Sequence, residues 1–322
     1  MDFTFSPEHV ALRRLVREFA ENELAPLAAQ IDREGQVPFD LLRQMGELGL
    51  LGVCFPQEYG GMGAGETGYC ILMEELGRVC TSTATTVGAH IGIGAMSIYL
   101  DGTEAQKQTY LVPLARGQKF AAFVLTEADA GSDAAAIRTR AVREGDSWII
   151  DGTKTFNTNG SFADVVTVLA VTDPALGARG GITAFIVETD SPGFKVGRHE
   201  NKMGIRGSAT AELVFDEVRV PQENVLGKVG EGFVSFMKTL DLGRLTLGAA
   251  CLGGAQAALD WSVTWAKTRK QFGTALAHKQ SVQWKIANTA VEVEALRSLV
   301  YRVAWMVDTG QPFTHLAAMV KL

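Results

Sequence analysis

Cysteine is sparse and ill-spaced for metal chemistry. The four present, Cys54, Cys70, Cys80 and Cys251, match no zinc or cluster motif and sit in apolar or helical surroundings, where they read as small buried hydrophobes. No apolar run reaches the length of a membrane span. Basic tracts and aromatic-interleaved Lys/Arg patches are missing too, and with a net charge of -6 nucleic acid is a poor electrostatic match. The opening Met1-Asp2-Phe3-Thr4-Phe5 has neither a signal-peptide core nor an Arg/Ser-rich transit segment, which predicts a cytoplasmic protein of bacterial type. What is there is ordinary in bulk: 47% hydrophobic and 20% charged residues over 322 positions, enough for a large core in two or three domains.

The pattern begins helical. Ser6-Pro7 is an N-cap followed by Pro at the first helical position, and Val10, Leu12, Leu15, Val16, Phe19 and Leu24 recur with near-helical spacing. Helical stretches follow at 39–48, 69–77 and 84–100, and Thr103-Glu104-Ala105-Gln106 forms a capping box. Residues 1–120 read as a helical domain. Within them Gly63, Gly65 and Gly68 spell the glycine fingerprint of a dinucleotide fold. The apolar run 50–55 is cut off from them by Pro56 and a polar turn, and no acidic residue ends a second strand about twenty residues on, which argues against that fold.

From Ala121 the period shortens. Runs at 139–142, 148–150, 165–171, 182–187 and 211–215 are β-branched or alternating, with turns such as Glu144-Gly145-Asp146 between them, so 121–228 reads as a β domain. Its first strand runs into Phe123-Val-Leu-Thr-Glu-Ala-Asp-Ala-Gly-Ser-Asp133. There an apolar strand gives way to a small, polar, acidic loop, with Thr126 and Ser132 as hydroxyl donors and Gly131 leaving backbone amides open to an anion. A plain strand-end turn explains those residues equally well when they are taken alone. Residues 229–322 return to helical spacing. The stretch 233–270, interrupted at Gly243, Gly248 and Gly253-Gly254, reads as one long or kinked helix with small residues for close helix contact. A second helix spans 280–308 and a third starts at Thr314. That last pattern ends at Leu322 without a cap, an expectation of further residues beyond it.

Taken in order, the blocks Pro56-Gln-Glu-Tyr-Gly-Gly61, Phe123 to Asp133, Thr158-Asn-Gly160, Lys202-Met-Gly-Ile-Arg-Gly-Ser208, Val220-Pro-Gln-Glu-Asn-Val-Leu-Gly227 and Arg269-Lys-Gln-Phe-Gly273 resemble the acyl-CoA dehydrogenase family of flavoenzymes along the whole chain. The resemblance implies an α+β architecture: a helical N-terminal domain, a middle β-barrel or sandwich domain and a helical-bundle C-terminal domain. It implies FAD as cofactor, acyl-CoA as substrate, electron-transfer flavoprotein as acceptor and a homo-oligomer, a dimer of dimers. It places Phe123, Leu125 and Thr126 along the flavin, Gly131 and Ser132 at the pyrophosphate or the thioester, and Phe156 and Thr158 beside the ring and its N5.

Phe156 stands where an aromatic residue, often Trp, is usual, with core filling as its alternative role, and Asn157 where an apolar residue is common. Arg269, Phe272 and Gln280 resemble residues that reach a neighbouring subunit's FAD, although Arg269 could equally be a solvated face residue. Asp241 and Arg244 resemble residues at the CoA pantetheine, and at three residues' separation they could instead pair with each other. The glycines at 63, 65 and 68 would shape a loop bordering the acyl pocket.

The base is a gap. The family's usual Glu would lie beyond Leu322, and Gly243 occupies the alternative position. Glu127, Asp129 and Asp133 take structural or binding roles by the resemblance. Two rivals share the scaffold: a flavin oxidase or monooxygenase, and a non-catalytic subunit.

Overall fold

The computed structural model describes residues 4–322, which divide into two units, one formed by residues 4–28, Gly65–Ala84 and Arg244–Leu322, the other by Ala29–Ala64 and Thr85–Gly243. The second unit holds the sheet. Its strands are β1 (Ala121–Val124), β2 (Arg140–Glu144), β3 (Ser147–Thr158), β4 (Val165–Val171), β5 (Ile182–Glu188), β6 (Phe194–His199), β7 (Thr210–Pro221) and β8 (Val225–Leu226). They follow the order β6-β7-β3-β2-β4-β5-β8, with β1 parallel beside β4. A single pairing, Arg140 with Val171, joins β2 to β4 and lets the sheet fold into two halves. Between the halves lies one core in which Trp148, Ile150, Val166, Val168, Phe185, Leu213 and Phe215 are all buried. β6 has no counterpart in the sequence reading, since its residues are mostly exposed and break the apolar alternation.

In the same unit the helix expected over 84–100 is real but not uniform. Its turns widen to a π-helix at Ala89–Ala95, where Gly94 lets the helix approach Ala121 at the head of β1. The Thr103 capping box forms as written: Thr103 N donates to Gln106 Oε1 at 2.9 Å and Gln106 N to Thr103 Oγ1 at 3.2 Å. Residues 50–55 are no strand. Leu50–Gly52 is a turn of 3-10 helix, which removes the strand that a dinucleotide fingerprint requires.

The first unit is helical. Helix Pro7–Phe19 starts where Ser6 Oγ accepts from His9 N at 3.2 Å, and it buries Leu12, Val16 and Phe19. The helix Gly232–Thr268, which enters this unit at Arg244, is unbroken over 37 residues. Its glycines do not kink it. Gly253 lets its backbone lie against helix Gly65–Val79 at the Glu74 carbonyl, and Gly248 gives room to Val320. Glu74 and Glu75 of helix Gly65–Val79, 4% and 2% exposed, meet partners on helices Pro7–Phe19 and Gln280–Asp308. Arg17 grips Glu75 in bidentate fashion at 2.9 and 2.7 Å, and Arg13, Arg297 and the Tyr301 hydroxyl share Glu74.

Gly65 packs on Asp308, whose carboxylate accepts from Glu66 N at 2.7 Å and from Thr67 N and Oγ1 at 3.0 and 2.6 Å. The helix start next to the glycine fingerprint is therefore filled by the chain itself. Helices Gln280–Asp308 and Thr314–Lys321 complete the unit, with the ribbon of β9 (Lys270–Gln271) and β10 (Thr274–Ala275). Two cysteines depart from expectation: Cys251 is exposed on the long helix and Cys54 is half-buried, while Cys70 and Cys80 are buried.

Candidate functional site

Where β1 stops, the chain crosses to β3 and makes an open rim. Leu125 and Thr126 are half-buried, and Thr155 N donates to Thr126 O at 2.8 Å, tying the β1 loop to β3. Two residues further along β3 the register against β7 shifts between Lys154 and Asn157. At this bulge Phe156 adopts φ 58 and leaves its side chain 62% exposed. A left-handed phenylalanine is sterically unfavourable, on the order of 1–3 kcal/mol, and the bulge turns its ring out of the pleat. The core-filling role is thereby excluded for Phe156.

Asn157 takes the inward place instead. It is 2% exposed and donates from Nδ2 to Ala211 O at 3.0 Å, so a polar residue there costs no lost hydrogen bond. Thr158 is half-buried opposite Thr210. Phe123 is 8% exposed and stacks on Phe236 at 4.1 Å, so most of its ring is spent on packing rather than on the rim.

The acidic loop is held from behind. Glu127 Oε1 lies 2.8 Å from Lys154 Nζ and accepts from Thr139 N at 3.0 Å, while Oε2 accepts from Arg138 N at 2.7 Å. Lys154, fully buried, also donates to Leu125 O at 3.0 Å. Desolvation pulls the Lys154 ammonium down to about 8 against the attraction of Glu127. Desolvation pushes Glu127 up, but Lys154, Thr139 and the Arg138 amide outweigh it and hold the carboxyl below its ordinary value. A carboxylate so engaged is a poor proton acceptor. Asp129 pairs with Arg138 at 3.2 Å in the open, and Asp133 is exposed.

His90 anchors the other end of β1. Its Nδ1 accepts from Ala121 N at 3.0 Å and its Nε2 lies 3.1 Å from Leu114 O, a pairing that requires the neutral ring with the proton on Nε2. Burial keeps it neutral by lowering its pKa to about 4.

Gly131 has open space around it and Ser132 is exposed, so amides and a hydroxyl are free of side-chain obstruction at the loop tip. With the Phe156 face, the Thr126 and Thr158 hydroxyls and the buried Thr155 Oγ1 that has no partner, this donor set fits a planar heteroaromatic ring with an anionic tail. Asp241 and Arg244 are half-buried on the long helix, one in each unit, and a Cβ on Gly243 between them would meet Ile93 Cγ2 at 3.1 Å.

Arg269, Phe272 and Gln280 lie in the first unit and are exposed. Phe272 and Gly273, at φ 52 and 76, form the two-residue tip of the β9-β10 hairpin, and the Phe272 ring is 94% exposed. A second bulky residue is thus held in left-handed backbone with its ring in the open.

Of the residues that brace the rim, Lys154 and His90 are the ones sequence reasoning missed; Glu127 was expected in a structural or binding role, and Asn159 stood in a quoted block without a role. Asn159 is fully buried at φ 66 and donates from Nδ2 to Thr86 O at 2.9 Å. One signal was available: Lys154 falls in phase with the inward Trp148 and Ile150 of the same strand, and a cation at an inward position demands a buried partner.

Among the described residues no group of metal ligands occurs, and no helix is long and apolar enough to cross a membrane. Three family models match the chain: "Acyl-CoA dehydrogenase, N-terminal domain" over residues 6–118, "Acyl-CoA dehydrogenase, middle domain" over 122–218 and "Acyl-CoA dehydrogenase, C-terminal domain" over 230–322. The chain is 46% identical, over its whole length and 85% of the relative's, to a protein of Clostridium acetobutylicum named "Acyl-CoA dehydrogenase, short-chain specific". It is similar to the solved structure of butyryl-CoA dehydrogenase from Megasphaera elsdenii at TM-score 0.97 and 42% identity, covering 99% of this chain and 84% of that one. The same TM-score of 0.97, at 44% identity and with the same coverage of 99% and 84%, relates it to a structure described as "Electron transferring flavoprotein of Acidaminococcus fermentans: Towards a mechanism of flavin-based electron bifurcation".

Proposed function

The chain belongs to the acyl-CoA dehydrogenase family, and from that premise we propose that it is an FAD-dependent dehydrogenase converting a short-chain acyl-CoA to its trans-2-enoyl thioester. The short chain length rests on the relatives named for short-chain and butyryl substrates. The observation that carries the reading is the left-handed, solvent-facing Phe156 beside the Thr126 and Thr158 hydroxyls. A backbone strained to expose an aromatic face fits a ring that packs on it.

When bound, the flavin supplies the hydride acceptor that side chains lack. The chain's own part is to bind and orient. Leu125, Thr126, Phe156 and Thr158 hold the ring, Phe123 backs it through its stack on Phe236, and Gly131 and Ser132 receive the anionic tail or the thioester region. Asp241 and Arg244 hold the CoA arm. Arg269, Phe272 and Gln280 reach the FAD of a neighbouring copy in a dimer of dimers. Residues 1–120, 121–228 and 229–322 act as the three domains. The acceptor is an electron-transfer flavoprotein, and the working compartment is the cytoplasm.

The exposed Trp261, Trp265 and Trp284 of the first unit support the oligomer, because large aromatic surfaces are costly to leave in water. No catalytic base is assigned, since Glu127 is committed to Lys154 and the loop amides.

Anaerobic addition of butyryl-CoA to the FAD-loaded protein is the test. Bleaching of the flavin band supports the dehydrogenase. Reduction by a separate reductase but not by acyl-CoA would instead make the protein an oxygen-using flavin enzyme, and failure to retain FAD would leave the non-catalytic subunit.

A further inference from the structure

Resting on the flavin-site reading, we propose that the buried Lys154–Glu127 pair is a positioning device that sets the two halves of the rim, Leu125-Thr126 and Phe156-Thr158, in register for the bound ring. Lys154 sits two residues before the bulge that exposes Phe156, and its ammonium reaches the Leu125 carbonyl at 3.0 Å and Glu127 at 2.8 Å. Glu127 in turn accepts the amides of Arg138 and Thr139 just before β2, and Glu127 and Ala130 close their loop through two reciprocal backbone bonds of 3.1 Å. One ion pair therefore fixes three segments, the loop after β1, the body of β3 and the lead into β2. Near this point the β1 loop is also tied to β3 by the Thr155 N to Thr126 O bond of 2.8 Å.

Stability alone is a weak reason to bury such a pair, because its desolvation offsets most of the attraction and well-packed apolar side chains at the same places are often neutral or better. What apolar residues lack is direction. An ammonium with a carbonyl and a carboxylate as acceptors holds the Leu125 peptide at a defined angle to β3, and the hydroxyl of Thr126 is one residue on. Removing the pair leaves the apolar packing of the core in place and frees the relative setting of the two half-rims.

The test separates position from folding with two variants, Lys154→Met and the double replacement Lys154→Met/Glu127→Leu. Each is measured for urea stability, for FAD dissociation constant by fluorescence quenching, and for the shape of the bound-flavin absorption band. The single variant strands a buried carboxylate, so it loses stability or fails to fold. The double variant regains the stability that the stranded charge cost the single one and falls short of the wild type only by the Arg138 and Thr139 amides and the Leu125 carbonyl that lose their partners. It nevertheless binds FAD about ten- to a hundredfold more weakly, with a blurred and shifted flavin band, as misplaced contacts predict. A stable double variant with wild-type FAD affinity and spectrum would overturn the proposal, and so would one that never regains stability, since the pair would then be a fold determinant. If the wild type itself takes up no FAD, it is the flavin reading that fails.

Discussion

Gly253 and Gly254 are adjacent in one helix and should respond in opposite directions to the same added methyl group. A Cβ on Gly253 would fall inside the contact distance of the Glu74 carbonyl oxygen and within 2.8 Å of Arg78 N, both backbone atoms of helix Gly65–Val79 that cannot rotate away. On Gly254 its nearest neighbours, Gly77 O and Thr81 Oγ1, stand at 3.8 Å, an ordinary contact. Each Gly→Ala change gains about 1 kcal/mol of helix propensity in a helix interior. At Gly254 that gain stands nearly alone.

At Gly253 it is set against overpacking of about 1–3 kcal/mol. Here the upper half of that range applies, because the atoms met are all backbone of a packed helix and only a shift of the helix itself can make room. The expected outcome is a loss of about 1–2 kcal/mol for Gly253→Ala, a gain of up to about 1 for Gly254→Ala, and a gap of about 2–3 between them. Equilibrium urea denaturation with matched m-values reads the gap from the midpoints. Equal shifts in one direction would refute the close approach of these two helices.

Glu66 is buried against Asp308 and Cys70 with its Oε2 unpartnered, and desolvation, with help from the Asp308 charge, raises its pKa to about 8. Its folded value lies above the unfolded one, so the stability it carries is full at low pH and is lost as pH rises through about 8. Glu66→Gln should therefore flatten the decline in urea midpoint between pH 6 and 8.5 and gain on the order of 3 kcal/mol at pH 7. Thr103→Ala removes the accepting half of the capping box and should cost about 1 kcal/mol by the same assay. Replacing both Trp261 and Trp284 by Glu should reduce the sedimentation mass at unchanged helical circular dichroism, whereas an unchanged mass would move the subunit interface elsewhere. Phe156→Ala should weaken FAD binding with little change in thermal stability, because the lost ring is 62% exposed and the Cβ that strains the left-handed backbone stays.

Much of the fold was legible because local pattern and final structure agree. The helix over 280–308, strands β4 and β5 and both helix starts at Ser6 and Thr103 lie where spacing and capping chemistry put them. Legibility failed where a tertiary neighbour decides. Glycines at 243, 248 and 253–254 signal a kink locally, yet helix Gly232–Thr268 continues unbroken, and Gly248 and Gly253 are close approaches to Val320 and Glu74. The π-turn at Ala89–Ala95 is set by His90 reaching Ala121 and Leu114, contacts invisible to periodicity. Phe156 and Phe272 carry no local mark of positive φ, which sequence reasoning expects at Gly or Asn.

The same distinction explains why the rim could be named from sequence while its base could not. Binding a ring asks for residue types, an aromatic face, two hydroxyls and an open glycine, and types are written in the chain. Accepting an α-proton asks for a carboxylate that is poorly solvated and not already neutralised by donors. That condition belongs to contacts. Of the three acids in the loop, Glu127 is held by one cation and two amides, Asp129 is exposed with Arg138 beside it, and Asp133 is exposed to water. None is both shielded from water and free of donors, so substituting Asp129 or Asp133 by Asn should leave the rate of flavin reduction by butyryl-CoA within about threefold of wild type. A loss of a hundredfold or more in either variant would place the base in this loop.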